Sequence, residues 1–256
     1  MRTFRLLDLA AHAPARNMAL DDALLEAGDD TPVLRLSTWE PAGLSLGYFQ
    51  TLDDVPSARA ADTTVVRRFT GGGAIHHGAE LTFAITAPAS DPLYRGPVAD
   101  SYCRVHKAVV RALAAFGVEA RIGPGTAGVV SDRAGTGMCF HAVTSADIVW
   151  DAGAGPAKGV GSAQRRRGGR VLHHGSIKLD TDPLEPGVAT VSAAAGRPVD
   201  ARAMAKALLD AFVASFDAEF EPSALTDAEL AHADRLGDFF ADPRFLADRR
   251  ARPAAR

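Results

Sequence analysis

Apolar residues recur at helical spacing in NMALDDALLEA (Asn17 to Ala27), where Met18, Leu20, Leu24 and Leu25 mark one side and Asn17 is placed to cap the start. A period of two follows. VLRLSTW (Val33 to Trp39) alternates as a strand, LSLGYF (Leu44 to Phe49) reads as a second strand or its turn, and TVVRRF (Thr64 to Phe69) as a third. The triplet Gly71, Gly72 and Gly73 breaks regular structure before LTFAIT (Leu81 to Thr86) resumes a strand. YCRVHKAVVRALAAF (Tyr102 to Phe116) predicts a long amphipathic helix stopped by Gly117, and Val118 to Ile122 a short strand after it. DIVW (Asp147 to Trp150), Gly159 to Arg165 and Arg170 to Leu179 read as further strands, with DAGAGP (Asp151 to Pro156) at a hairpin tip. From about Asp182 the pattern turns helical, over Ala201 to Phe216 and Asp227 to Leu236. Short strands with single helices among them predict an α+β fold and not a doubly wound parallel sheet. Residues 1–240 are expected to form one domain, helical from about 182, and 241–256 a solvated tail.

Composition narrows the function class. A hydrophobic share of 47% and a charged share of 23% suit a chain that buries a large core. A net charge of −3 argues against a nucleic-acid binder and suits an enzyme that meets small or acidic partners. There is no apolar run of about 18 residues and no signal-peptide h-region, so no membrane span is expected and a cytoplasmic location is. Two cysteines, Cys103 and Cys139, make no disulfide framework and read as free thiols.

Three constellations carry candidate chemistry. The first is RRFTGGGAIHH, Arg67 to His77. Consecutive glycines let a backbone approach a ligand closely, and their amides can cradle a carboxylate or phosphate. Arg68 beside them adds a forked cation for the same anion. A glycine triplet alone also reads as a flexible turn, and neither a Walker A loop nor a GxGxxG pattern is present. The second is AKGVGSAQRR (Ala157 to Arg166) followed by LHHGS (Leu172 to Ser176). Lys158, ahead of small residues, can hold an acyl carbonyl or act on a nearby thiol through its charge. The alternative is a solvated lysine at a hairpin edge. Arg165, Arg166 and Arg167 offer an exposed basic edge or a patch for an acidic partner. The pairs His76–His77 and His173–His174 suggest zinc, but neighbours on a strand face opposite ways and no third ligand has sensible spacing, so no metal site is expected. The third is Cys139 in GMCF, ahead of Lys158, a layout that permits a Cys/Lys pair. A lone cysteine also packs as a small hydrophobe, which is how Cys103 reads within its helix.

With those residues in view, the chain resembles the lipoate–protein ligase and octanoyltransferase family. RRFTGGGAIHH is similar to its Arg-Arg-x-Thr-Gly-Gly-x-Ala-x-x-His signature, and KGVGSAQRRRGGRVLHHGSI to its Lys-x-x-Gly-Ser-Ala-Gln-x-Arg and Leu-x-His-Gly-Ser signature. NMALDDALL, LSLGYFQ and LTDAELAHADRL resemble its N-terminal helix, first hairpin and C-terminal helical part. The resemblance implies the biotin/lipoate protein ligase (class II synthetase-like) catalytic domain, a mixed, mainly antiparallel sheet packed with helices. It implies catalytic roles for Cys139 and Lys158. It further implies an acyl pocket drawn from Arg68, Gly71, Gly72, Gly73, Ala74 and His77 in the first signature, and Gly161, Ser162, Ala163, Gln164, His174 and Gly175 in the second. Gly78 stands where the family usually has Asp, and His76 where it has an apolar or aromatic residue. The short spacing from His77 to Phe83, and Cys-Phe ahead of the lysine, resemble the cysteine/lysine-type octanoyltransferases.

Such a resemblance implies octanoyl transfer from acyl carrier protein, through a Cys139 thioester, to a lysine of a lipoyl domain. The acceptors would be the glycine-cleavage H protein or E2 subunits, with no cofactor, nucleic acid or membrane involved. A ligase that uses ATP and Mg²⁺, with Cys139 a bystander, is the first alternative. An amidotransferase that takes its acyl group from H protein is the second, and a non-catalytic acyl-binding protein the third.

Overall fold

The computed structural model describes residues 2–27, 30–56, 63–123, 137–141, 143–144, 146–153 and 155–251. An eight-stranded sheet forms the centre, in the order β11-β1-β2-β6-β10-β9-β8-β7. Its strands are β1 (Arg2–His12), β2 (Val33–Trp39), β6 (Glu80–Pro88), β7 (Arg121–Ile122), β8 (Ile148–Asp151), β9 (Pro156–Arg167), β10 (Arg170–Lys178) and β11 (Ala218–Pro222). β1 pairs in parallel with both β2 and β11, and the other pairings are antiparallel. A three-stranded sheet of β3 (Gly43–Leu46), β4 (Thr64–Arg67) and β5 (Ile75–His77) adjoins it. The helices are α1 (Pro14–Glu26), α2 (Val98–Ala114), α3 (Val191–Ala195), α4 (Ala201–Phe216), α5 (Asp227–Leu236) and α6 (Pro243–Ala247). The expected α+β architecture, mixed and mainly antiparallel, is what the chain adopts.

The main sheet separates two unlike faces. Leu34, Leu36, Leu81, Phe83 and Ile85 alternate onto one face, where they meet Val105, Ala108 and Val109 of α2 and Met204, Leu208 and Phe212 of α4 in the main core. The residues between them, Arg35, Ser37, Thr82 and Thr86, point the other way and are buried as well. Over this polar face lies α1, whose Met18 and Ala19 join a second core with Trp39, Phe240 and Phe245.

Three strands have no clear alternating signal. RTFRLLDLAAH forms β1, with Phe4 fully buried and stacked on Phe220 of β11 at 4.8 Å. A register shift against β2 between Leu7 and Ala10 explains the weak alternation. β5 and β11 are short and were likewise not evident. The expected strand over Val118 to Ile122 shrinks to the two residues of β7. Helix α1 begins at Pro14 and not at Asn17, because proline's fixed φ suits the first helical position. Asn17 is a buried residue of the first turns; its side-chain amide donates to the carbonyls of His12 and Thr38.

The expected tail from 241 is a correction. Residues 243–247 form α6, and Phe245 is buried against Phe69 and Phe240. Arg67 explains the docking: its guanidinium donates to the carbonyls of Phe245 and Leu246 and to those of Tyr48 and Gln50. The solvated character expected for residues 252–256 lies outside the described residues. After β10, a loop is tied back through Glu185, whose carboxylate pairs with buried Lys178 at 2.5 Å; Lys178 also meets Glu80 at 3.0 Å.

Two predictions follow from this packing. Phe245→Ala empties a buried aromatic site and is expected to lower unfolding free energy by about 3 kcal/mol or more in denaturant titration. A change within error would mean that α6 does not belong to the folded body. Burial pushes the Glu185 carboxyl up to about 7 from 4.5, against the pull of Lys178. The folded state then binds the extra proton, so stability is lost as pH rises from about 4.5 through about 7. Melting curves from pH 5 to pH 8 are expected to show Glu185→Gln gaining on wild type as pH rises. A flat or shrinking difference sinks that reading.

Candidate active site

Strand β9 supplies the lysine. Lys158 is only 3% exposed, so it is no solvated hairpin lysine. Its Nζ lies 3.2 Å from Cys139 Sγ, 3.0 Å from the Cys139 carbonyl oxygen and 2.9 Å from Asp147 Oδ1. An ammonium has three N–H donors, and each has an acceptor. Burial lowers the lysine's proton affinity, but Cys139 and Asp147 outweigh it and raise its pKa. The Phe140 ring centroid lies 5.3 Å from the same Nζ.

A β-bulge explains why Lys158 and Gly161 share a face. Simple alternation would send residues three apart to opposite sides. The register shifts between Ile148 and Val149, so that Ile148 pairs with Val160 and Val149 with Lys158. Gly159 lies under the Trp150 ring, and Val160 is fully buried in the main core. Two successive core-facing residues therefore bring Lys158, Gly161 and Ala163 to the polar face.

The first signature holds the cysteine. The Ala74 amide donates to the Gly137 carbonyl at 2.9 Å, and the Cys139 amide to the Ala74 carbonyl at 2.7 Å. A Cβ on Gly73 would come within 2.8 Å of the Cys139 backbone, so only glycine permits this docking. Gly73 and Ala74 thus carry the cysteine, while Gly71 and Gly72 reach the pocket wall. Cys139 is half-buried and lines the same pocket.

Arg68 lines the pocket and is tied into the loop. Its donors go to the carbonyls of Ser45, Gly71 and Gly73 at 3.0, 2.8 and 2.7 Å. It staples the glycine loop from within. Met18, Trp39 and Ile75 supply apolar wall, with Gly161, Ser162, Ala163 and Gly175 along the strands.

The histidine pairs split as strand geometry requires. His77 turns inward and stacks on Trp39, ring centroids 3.6 Å apart. Its Nδ1 donates to Glu80 at 2.5 Å and its Nε2 accepts from the Ser45 hydroxyl at 2.7 Å. Burial drives its pKa down to about 4, so the ring is neutral at pH 7. Burial alone would raise the Glu80 carboxyl, and the neighbouring His77 and Lys178 outweigh it and hold the group below the usual range. His76 turns to Asp182, with Nδ1 2.7 Å from Oδ2. Asp182 also lies beside Gly78, so this loop carboxylate occupies the neighbourhood where the family pattern puts an Asp side chain.

His174 lines the pocket; its Nδ1 donates to Asp21 at 3.0 Å and its Nε2 contacts the Thr70 hydroxyl at 2.7 Å. Asp21 is held in turn by Arg35, 2.6 Å away. Burial would raise the Asp21 carboxyl, but Arg35 and His174 hold it below the usual value. Gln164 lies on the opposite sheet face, where its amide donates to Ser101 at 2.9 Å and to His173 Nδ1 at 3.1 Å. The Ser162 hydroxyl is on that face too, between His106 and His173, so it meets the pocket through its backbone. Sequence reasoning missed Asp147, Glu80, Trp39 and Asp21. Only their place among apolar residues could have marked the acids.

The arginine run is not a free basic edge. Arg167 pairs with Asp22 and Glu26, and Arg165 stacks on Tyr48 at 5.5 Å. Among the described residues, no helix is long and apolar enough to cross a membrane.

Known proteins are similar to this chain in sequence and in fold. The family model of the lipoyl protein ligase A/B catalytic domain matches residues 13–221. The octanoyltransferase LipM of Moorella thermoacetica is 34% identical, the match covering 91% of this chain and 94% of that protein. The octanoyltransferase LipM of Kyrpidia tusciae is 33% identical over 92% of this chain and 95% of that protein. A solved bi-partite lipoate protein ligase of Thermoplasma acidophilum has the same fold, with a TM-score of 0.76 at 21% identity over 100% of both chains. The chain therefore belongs to the lipoyl protein ligase A/B catalytic domain family.

Proposed function

We propose that the protein is an octanoyltransferase that moves an octanoyl group from acyl carrier protein to a lysine of a lipoyl domain, through a thioester on Cys139. The acceptors are the glycine-cleavage H protein or E2 subunits, and neither ATP nor a metal ion takes part. The observation that carries this reading is the Cys139 sulfur in a largely apolar pocket, 3.2 Å from a buried lysine. The similarity to two octanoyltransferases supports it.

The chemistry is two acyl transfers. In the first, the Cys139 sulfur attacks the donor thioester carbonyl, the C–S bond to Cys139 forms, and the donor departs as a thiolate. In the second, the acceptor lysine's neutral amine attacks, a C–N bond forms, and the Cys139 C–S bond breaks. The proton lost by the amine nitrogen balances the one taken up by the donor thiolate. Sulfur is negative before attack and after release, and Lys158 sets a positive charge beside it in both states. The apolar walls of Met18, Trp39 and Ile75 suit a hydrocarbon chain.

Intact mass after incubation with octanoyl acyl carrier protein, without ATP, tests the reading. Wild type is expected to gain one hydroxylamine-labile octanoyl group and Cys139→Ala none. If a lipoyl domain is modified only when lipoate and ATP are supplied, the protein is a ligase. Gly161 offers a finer probe, since a Cβ there would sit 2.9 Å from Lys158 Cε and 3.5 Å from Cys139 Sγ. Gly161→Ala is expected to slow thioester formation about tenfold, ~1.4 kcal/mol of barrier, with an unchanged melting curve. An unchanged rate would show that the placement of Lys158 does not matter.

A further inference from the structure

Asp147 belongs to neither signature, yet it touches the lysine. It stands just before β8, four residues from the strand's end, and is buried. Both carboxylate oxygens are engaged. Oδ1 meets Lys158 Nζ at 2.9 Å, and Oδ2 accepts from the Thr144 backbone amide at 2.6 Å. Its own backbone is fixed as well, because its carbonyl accepts from the Gly123 amide at 2.7 Å and its amide donates to the Thr144 carbonyl at 3.2 Å. A carboxylate fixed at the backbone, with one oxygen aimed at a buried ammonium, can dictate where that ammonium points.

The remaining groups around Lys158 do not duplicate this role. The Cys139 sulfur and carbonyl take its other two donors. His106, on α2, is neutral because burial drives its pKa down to about 4. Lys178 lies 4.8 Å from the centroid of the same Phe140 ring and repels a second cation. When the sulfur is acylated it loses its negative charge, and among the described residues Asp147 is then the anion left in contact with Lys158. A lysine held this way keeps its proton through both half-reactions.

We infer, resting on the transfer reading above, that Asp147 is a positioning residue: its carboxylate holds Lys158 as an ammonium aimed at Cys139, so that the lysine is a fixed charge and not a proton shuttle. No bond to Asp147 forms or breaks, and its contribution is the charge and direction it gives to Lys158.

The lysine itself can be observed without any substrate. The sequence has lysine only at positions 107, 158, 178 and 206, so protein labelled at lysine Cε gives few resonances to assign. The Lys158 signal is followed by NMR against pH in wild type, Asp147→Asn and Asp147→Glu. In wild type its midpoint is expected above that of exposed Lys206. In Asp147→Asn it is expected to fall by at least one pH unit while the Lys107 and Lys206 midpoints stay fixed, and Asp147→Glu is expected to restore most of the shift. A midpoint unmoved in Asp147→Asn overturns the inference, and so does a wild-type midpoint below that of Lys206, a result that needs no variant to fold. The rate of Cys139 thioester formation from octanoyl acyl carrier protein is measured across the same pH range. Its alkaline limb is expected to move down with the lysine midpoint in Asp147→Asn. Wild type that shows the raised lysine midpoint but forms no thioester would sink the transfer reading and leave the Asp147–Lys158 coupling standing.

Discussion

A sheet buried on both faces, with one face polar, is the constraint on which the site depends. Each buried donor and acceptor must find a partner or cost roughly 1–3 kcal/mol. The chain meets most of that demand with two lines of hydrogen bonds that end on one loop, while the buried Ser37 and Thr86 hydroxyls of the same face have no partner among the described residues. Arg35, Asp21, His174 and Thr70 form the first. Glu80, His77, Ser45 and Arg68 form the second. Thr70 lies inside the first signature, and Arg68 grips the carbonyls of Gly71 and Gly73. The glycines that look most flexible are thereby clamped from both sides, and the same clamp sets Ala74 to hold the Cys139 amide. Pocket walls and nucleophile position are consequences of satisfying a buried polar face.

Spacing between motif residues carries more information than their identities. Lys158 and Gly161 share a face only because Gly159 and Val160 both turn to the core. A regular strand would have sent one of them into the α2–α4 core. The bulge also accounts for glycine at 159, where a side chain would overlap Trp150, and at 161, where it would press on Lys158. Ser162 and Gln164, in the same signature, lie on the other face and brace the strand through Ser101 and His173. One run of residues thus serves two faces of a sheet.

This division explains what could be read in advance. Strand β2 and helices α4 and α5 have the boundaries expected, because each keeps one unbroken period along its length. β1 does not, since its register on β2 shifts between Leu7 and Ala10 and breaks the alternation. Cys139 and Lys158 were legible as a pair because both sit in glycine-rich surroundings that few other roles need. Asp147 was not, because one acid before an apolar strand is ordinary until the hairpin folds and sets it against the lysine. The grip of Arg68 on the loop was not legible for a similar reason. A guanidinium beside glycines suits a bound anion and backbone carbonyls equally well, and only the fold shows that the carbonyls have it.

The family's fold is shared by proteins described as ligases and as transferases, so the fold alone cannot choose the chemistry. The choice lies in which acceptors meet the buried ammonium. In this chain the sulfur, a carbonyl and a carboxylate surround Lys158 within 3.2 Å. For the lysine to grasp an acyl phosphate, at least one of these would have to be released into a site that offers little else to bond it. An acyl phosphate that came without its Mg²⁺ would also meet Asp147, and like charges in a poorly solvated pocket repel strongly. A neutral thioester carbonyl brings no such charge. In the transfer reading proposed above, the same three contacts steady Lys158 beside a sulfur that meets acyl groups already activated as thioesters.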